Sequence, residues 1–214
     1  IDVAVHDGIT PDPTYPVLQA GYEAVRAHRS DAILAVGGGS AIDAAKVIGA
    51  MTVSGKSPAK LIGMLKVGKP MLPLFAIPTT AGTGSEVTVA AVVTDPVQHV
   101  KSAVIDPKLV PLAAALDPLL MKGMPQPITA ATGMDALTHN VEAYLAKNYH
   151  PICDGIALEG LRLAAANLPR AVADGTDLDA RGAMLMSSMM GAIAFQKGLG
   201  AVHSTAHALG TAVD

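Results

Sequence analysis

The sequence predicts an α/β layer built on a parallel sheet, followed by an all-helical region. Two patterns carry this prediction. Up to about residue 117, short apolar runs alternate with helix-period segments, as strands and crossover helices do. From Pro118 onward helical patterns follow one another and no strand-like run remains. Composition agrees with a folded chain: half of the 214 residues are hydrophobic and 15% are charged, which excludes a disordered polypeptide and leaves enough apolar surface to fold without disulfides. The division is placed at 117/118, with no low-complexity linker and no internal repeat.

Taken in order, residues 3–5 (Val-Ala-Val) read as a strand, closed by the turn-rich Asp7-Gly8 and Pro11-Asp12-Pro13. Leu18, Tyr22 and Val25 recur at i, i+4 and i+7 and mark one face of a helix. Residues 32–36 form a short apolar run ending in three glycines, and residues 40–51 then read as a helix rich in Ala and Ile. Residues 72–77 are a buried-strand candidate. Residues 87–94 and 100–105 flank Asp95-Pro96 and read as a hairpin. Beyond 118, helices are expected over 129–147, 155–171, 178–197 and 201–213, with Ala, Met and Leu on their packing faces.

Several function classes drop out. Aromatic residues make up 3% of the chain and Trp is absent, which removes a base-stacking surface. Fifteen Lys and Arg against eighteen Asp and Glu leave a net charge of −3, too little positive charge for a phosphate-backbone footprint, so no nucleic-acid partner is expected. The apolar stretches are broken by Asp43 and Lys46 or by Pro70, Pro73 and Pro78. No run reaches the ~18 residues of a membrane span, so no membrane partner is expected either. A single cysteine, Cys153, forms no internal disulfide, and a reducing cytoplasm is the default setting. The chain opens in a strand-like run without a Met and closes directly after a helical run, which predicts a fragment of something longer.

Four constellations carry chemistry. In the first, a buried strand runs through Val36 into Gly37-Gly38-Gly39-Ser40, with Asp43 three residues after Ser40 in a capping-box arrangement. Glycines let a ligand approach the backbone, and free N–H groups at a helix start attract phosphate. The spacing fits neither the usual Rossmann fingerprint nor a Walker loop, and a bare tight turn is the bland alternative; three consecutive glycines exceed what a turn requires. In the second, residues 77–88 (Ile-Pro-Thr-Thr-Ala-Gly-Thr-Gly-Ser-Glu-Val-Thr) set small residues and hydroxyls after a strand, where open α/β sheets bind ligands; an ordinary Thr/Gly loop explains them equally well. The third and fourth are i, i+4 pairs on helical patterns: Asp135 with His139, and His203 with His207. Such pairs share a helix face, and a carboxylate with imidazoles suits Fe(II), Zn(II) or Mn(II). One such His is more often a satisfied core residue, but two pairs in one helical region favour a metal.

Together these residues resemble the iron-containing (group III) alcohol dehydrogenases. The resemblance runs through Gly37-Gly38-Gly39-Ser40 with Asp43 and Lys46, through residues 78–88, and through residues 131–139 (Ala-Thr-Gly-Met-Asp-Ala-Leu-Thr-His). It continues to Glu142-Ala143-Tyr144 and then Gly198-Leu199-Gly200, His203 and His207, in family order over essentially the whole chain. It implies a Rossmann-like dinucleotide-binding α/β domain followed by an all-helical metal-binding domain of dehydroquinate synthase-like type, incomplete at both ends. Gly37, Gly38, Gly39 and Ser40 would form the pyrophosphate loop. Thr79, Thr80, Thr83 and Thr88 would form a second cofactor-contacting segment, and Lys101 would reach the ribose. Asp135, His139 and His203 match three of four metal ligands, and His207 matches a second His near the nicotinamide.

The fourth family ligand would lie beyond Asp214, and the acidic residue that separates NAD from NADP would precede Ile1. The activity implied is metal-dependent hydride transfer between a small alcohol or aldehyde and NAD or NADP, with Fe(II) ahead of Zn(II) as the ion. Glycerol dehydrogenase, maleylacetate reductase and hydroxyacid–oxoacid transhydrogenase share the fold. A non-catalytic nucleotide-binding module is the alternative of a different class. An unpaired strand edge near Ile1 leaves a homo-oligomer open.

Overall fold

The structure is a computed structural model and describes residues 1–98 and 100–212. Its chain divides into two compact units, Ile1–Ile77 with Thr88–Ala114, and Pro78–Val87 with Ala115–Asp214.

In the first unit, the apolar face marked by Leu18, Tyr22 and Val25 belongs to α1 (Tyr15–His28). A proline in its first turn costs no hydrogen bond, and Arg29 ends it in the left-handed conformation (φ 56°). Strand β1 (Ile33–Gly37) leads into α2 (Gly39–Ser54). This helix has almost no polar face, and residues 42–51 are all buried, the expected fate of a helix that is apolar all round. Then come α3 (Pro58–Leu61), β2 (Gly63–Met64), β3 (Leu74–Pro78), β4 (Ala90–Asp95), β5 (Val100–Ile105) and β6 (Ala113–Ala114). The strands form two three-stranded sheets, ordered β1-β3-β6 and β2-β5-β4. Leu18, Val47, Met51, Leu61, Val67, Val93, Val104 and Leu109 close the core, each large side chain contributing roughly 1.5–3 kcal/mol by leaving water.

The second unit is helical: α4 (Gln126–Leu145), α5 (Pro151–Ala173), α6 (Leu178–Ala194) and α7 (Ala201–Ala212). Met121, Ala136, Leu168, Met184 and Leu185 fill its main core. Helices α4, α5 and α6 meet closely because small residues face Asn140. A Cβ on Gly160 would lie 2.0 Å from Asn140 Oδ1, and one on Gly191 would lie 2.9 Å from His139 Cβ. Asn140 Nδ2 donates to the Ser187 carbonyl (3.0 Å) and Ser187 Oγ to the Gly160 carbonyl (2.8 Å), so the crossing is held by polar contacts as well as packing. Among the described residues no helix is long and apolar enough to cross a membrane.

Three sequence expectations are corrected. Residues 3–5 form no strand; a strand exists only through a paired neighbour, and Val3 and Val5 stand exposed. The expected parallel pairing is present in β3–β6 and β2–β5, and the expected hairpin is the antiparallel pair β4–β5. The first arm of that hairpin, expected over residues 87–94, pairs only from Ala90, because residues 85–87 turn into a 3-10 helix. Ser40 and Asp43 form no capping box. Helix α2 starts at Gly39 without a side-chain cap, Ser40 Oγ accepts from the Asp12 N–H (3.3 Å), and Asp43 Oδ2 accepts from the Val92 N–H (2.9 Å). The expected end of α7, residue 213, lies outside the described residues.

Candidate functional site

Helix α4 presents Asp135 and His139 one turn apart, and α7 contributes His203. Their donor atoms lie within 4.8 Å of one another. His139 Nε2 is 3.8 Å and His203 Nε2 3.4 Å from Asp135 Oδ1. The two imidazoles stack with centroids 4.4 Å apart and planes at 20°. Phe195 also packs against His139, with ring centroids 5.0 Å apart and planes at 51°. His139 is buried, while Asp135 and His203 are half-buried, so the cluster is walled by protein but open on the Asp135 side.

The second nitrogen of each ring settles the tautomers. His139 Nδ1 lies 3.2 Å from the carbonyl of Gly82, and His203 Nδ1 lies 2.5 Å from Glu142 Oε2. A carbonyl only accepts, as does an ionised carboxylate, so both Nδ1 atoms carry hydrogen and donate. Gly82 reaches His139 because it has no side chain, since a Cβ there would meet the Thr132 carbonyl at 2.9 Å. Both Nε2 atoms are therefore lone-pair acceptors turned on a carboxylate oxygen. Among the described residues, buried His203 Nε2 has no hydrogen-bond partner. Three converging acceptors repel unless a cation or a proton lies among them. Ring N–H groups anchored on a carbonyl and a carboxylate are the usual surroundings of metal-bound histidine, and this donor set fits Fe(II), Zn(II) or Mn(II).

The ionisations are split accordingly. Burial pushes His139 below its ordinary value, against the pull of Asp135. His203 is raised, chiefly by its interaction with Asp135 and with Glu142 adding, against burial. Burial alone would raise Glu142, but the hydrogen bonds from His203, Val202 and Gly200 more than offset it, and its carboxyl is lowered. Of the two imidazoles, His203 is therefore the one whose surroundings favour protonation and His139 the one whose surroundings oppose it.

The other expected residues fall as follows. His207 is one turn beyond His203, exposed, with ring centroids 6.4 Å apart. Residues 37–40 make the β1–α2 turn, half-buried. Gly37 is required there by close approach, because a Cβ would stand 2.6 Å from Ala41 Cβ. The Gly38 carbonyl accepts from Ala41 and Ile42, and the first N–H groups of α2 have no intrahelical partner. Thr79 and Thr80 are half-buried and Thr83 exposed; Thr83 Oγ1 accepts from the N–H and hydroxyl of Ser85 (3.3 and 3.1 Å). Thr88 is buried, its hydroxyl accepting from Lys46 Nζ (2.8 Å) and donating to the Ala90 carbonyl (3.2 Å). Lys101 Nζ pairs with Asp12 Oδ2 at 3.1 Å. Glu142 received no role from the sequence, although it stands three residues after His139 and seven after Asp135, the spacing of a shared helix face.

Residues 1–118 match the family described as iron-containing alcohol dehydrogenase, and residues 129–214 match the C-terminal part of the Fe-containing alcohol dehydrogenase family. The NAD-dependent methanol dehydrogenase of Bacillus methanolicus is 44% identical over 98% of this chain and 55% of its own length. The 1,3-propanediol dehydrogenase of Citrobacter freundii is 43% identical over 100% of this chain and 56% of its own. Among solved structures, a 1,3-propanediol oxidoreductase superposes with a TM-score of 0.95 at 41% identity, over 98% of this chain and 55% of that one. The sulfoacetaldehyde reductase of Bifidobacterium kashiwanohense, solved with NAD+, gives 0.87 at 34% identity, over 94% of this chain and 54% of that one. The chain thus spans about half the length of the relatives it matches.

Proposed function

The chain belongs to the iron-containing alcohol dehydrogenase family, and on that premise we propose that the full-length protein is a metal-dependent alcohol dehydrogenase or aldehyde reductase using NAD or NADP. The observation that carries this reading is the pair of imidazoles whose anchored Nδ1–H groups leave both Nε2 atoms turned on Asp135. Asp135, His139 and His203 would hold the ion, Fe(II) by the family's description and Zn(II) by equal suitability of the donors. When bound, the ion supplies Lewis acidity toward the substrate oxygen and the nicotinamide supplies the hydride carrier.

The remaining roles fall to protein groups. Gly37, Gly38, Gly39 and Ser40 would hold the pyrophosphate through the free N–H groups at the start of α2. Thr79, Thr80 and Thr83 offer hydroxyls to the cofactor, and Lys101, paired with Asp12, offers a cation for the ribose. Thr88 would serve the same segment indirectly, by holding Lys46. His207, exposed beside His203, would move the hydroxyl proton to water. A small alcohol or aldehyde is the substrate class. Assembly as a homo-oligomer and a cytoplasmic setting belong to the same reading, the latter supported by a lone buried thiol, Cys153.

The test is direct. The full-length protein, assayed with NAD and NADP across small primary alcohols, should reduce cofactor in a way that chelation abolishes and Fe(II) or Zn(II) restores. Cofactor binding without metal-dependent turnover of any alcohol or aldehyde would leave a nucleotide-binding module instead.

A further inference from the structure

Helix α7 begins at Ala201, after Leu199-Gly200, so no Ser, Thr, Asp or Asn precedes it to cap its first N–H groups. The cap comes from α4. Glu142 Oε1 accepts from the Val202 N–H at 2.7 Å, and Oε2 accepts from the His203 N–H at 3.3 Å and from His203 Nδ1–H at 2.5 Å. Gly200 makes room for it, since a Cβ there would stand 2.7 Å from Oε1. We propose that Glu142 is a positioning residue for the metal centre: one carboxylate caps α7 and, through its second oxygen, fixes the tautomer and ring orientation of His203. The proposal rests on the metal reading above.

The chemistry of the group makes this specific to a carboxylate. Donors converge on both of its oxygens: Val202 N–H on one, His203 N–H and Nδ1–H on the other. Both oxygens must accept, and an amide has a single acceptor oxygen. Glutamine in one orientation turns its NH2 against the Val202 N–H. In the other it turns the NH2 against His203 Nδ1, which then becomes the acceptor and moves the ring hydrogen to Nε2. That hydrogen occupies the lone pair facing Asp135. Glu142 thus links two events, the start of α7 and the readiness of His203 to bind an ion. A negative group at the helix start is favoured by the helix dipole as well.

The experiment titrates the metal-stripped full-length protein with Co(II), read by competition with a chromophoric chelator and by the visible bands of the bound ion. Wild type, Glu142→Gln and Asp135→Ala are compared, with thermal melts and NAD affinity as controls. We expect Glu142→Gln to fold, to bind NAD as wild type does, and to bind Co(II) about 10–100-fold more weakly with shifted bands. Unchanged Co(II) affinity and bands in Glu142→Gln, with binding lost in Asp135→Ala, would overturn the proposal and leave Glu142 a helix cap. Unchanged binding in both variants would remove the metal reading itself. Should Glu142→Gln not fold, long-range 1H–15N spectra of the wild-type, metal-free protein above the His203 titration decide the matter. An Nδ1–H tautomer of His203 supports the proposal, and an Nε2–H tautomer overturns it.

Discussion

Gly84 and Asp106 show how single residues hold the two units in shape. Gly84 has φ +59°, and a Cβ there would lie 2.2 Å from Ala192 Cβ and 2.9 Å from the Ser188 carbonyl. Gly84→Ala should therefore destabilise the second unit by about 1–3 kcal/mol, seen as a lower Tm. Asp106 is fully buried, with one oxygen accepting from the Lys108 N–H (3.1 Å) and Lys108 Nζ (3.2 Å) and the other from the Val67 N–H (3.2 Å). Burial alone would raise its carboxyl, but these hydrogen bonds more than offset it and the net value is lowered. A lowered folded value gives stability that is complete above the ordinary carboxylate range and lost as pH falls through the lowered one. Asp106→Asn should cost about 1–3 kcal/mol near neutral pH, and the gap between melts of the two proteins should narrow as pH falls below the ordinary carboxylate range. A gap that stays constant into acid would show that the ionised form is not the source.

Among elements, the β1–α2 turn separates two kinds of glycine. Gly37 is needed for the fold, since its Cβ would overlap Ala41. Gly38 has φ −75° and ψ −172°, a conformation any residue adopts. Gly37→Ala should lower Tm, whereas Gly38→Ala should keep Tm and weaken NAD binding about tenfold or more by calorimetric titration, because its Cβ would stand where a pyrophosphate must approach. Unchanged NAD affinity in a folded Gly38→Ala protein would return the loop to an ordinary turn. This turn was legible in the sequence because a strand, a glycine run and a helix are adjacent and local. Helices α4 to α6 were legible for the same reason, each being long and periodic. What was not legible depends on distant partners. Ser40 and Asp43 look like a capping box until Asp12 and Val92 take their side chains. Residues 3–5 read as a strand because alternation is local while pairing is not. Residues 78–87 belong to the helical unit because Gly82 and Gly84 seat against Thr132, Ser188 and Ala192. Glu142 hides its role because its partners lie sixty residues on.

For the molecule as a whole, the proposed function asks each unit to supply one half of a reaction. The first offers a helix start suited to phosphate, and the second a three-residue centre suited to a divalent ion. The centre rests on Asp135, the oxygen on which both Nε2 atoms converge. Alanine there removes the only carboxylate of the set while leaving residues 37–40 untouched, so metal and cofactor functions should come apart. The measurement that tests this most directly is NAD-linked alcohol oxidation by the metal-reconstituted full-length protein and its Asp135→Ala variant, with NAD affinity determined on both. The account predicts a folded variant that binds NAD as wild type does and has lost turnover by about 10³-fold or more, the loss of a Lewis acid. Near wild-type turnover in the folded variant would contradict it.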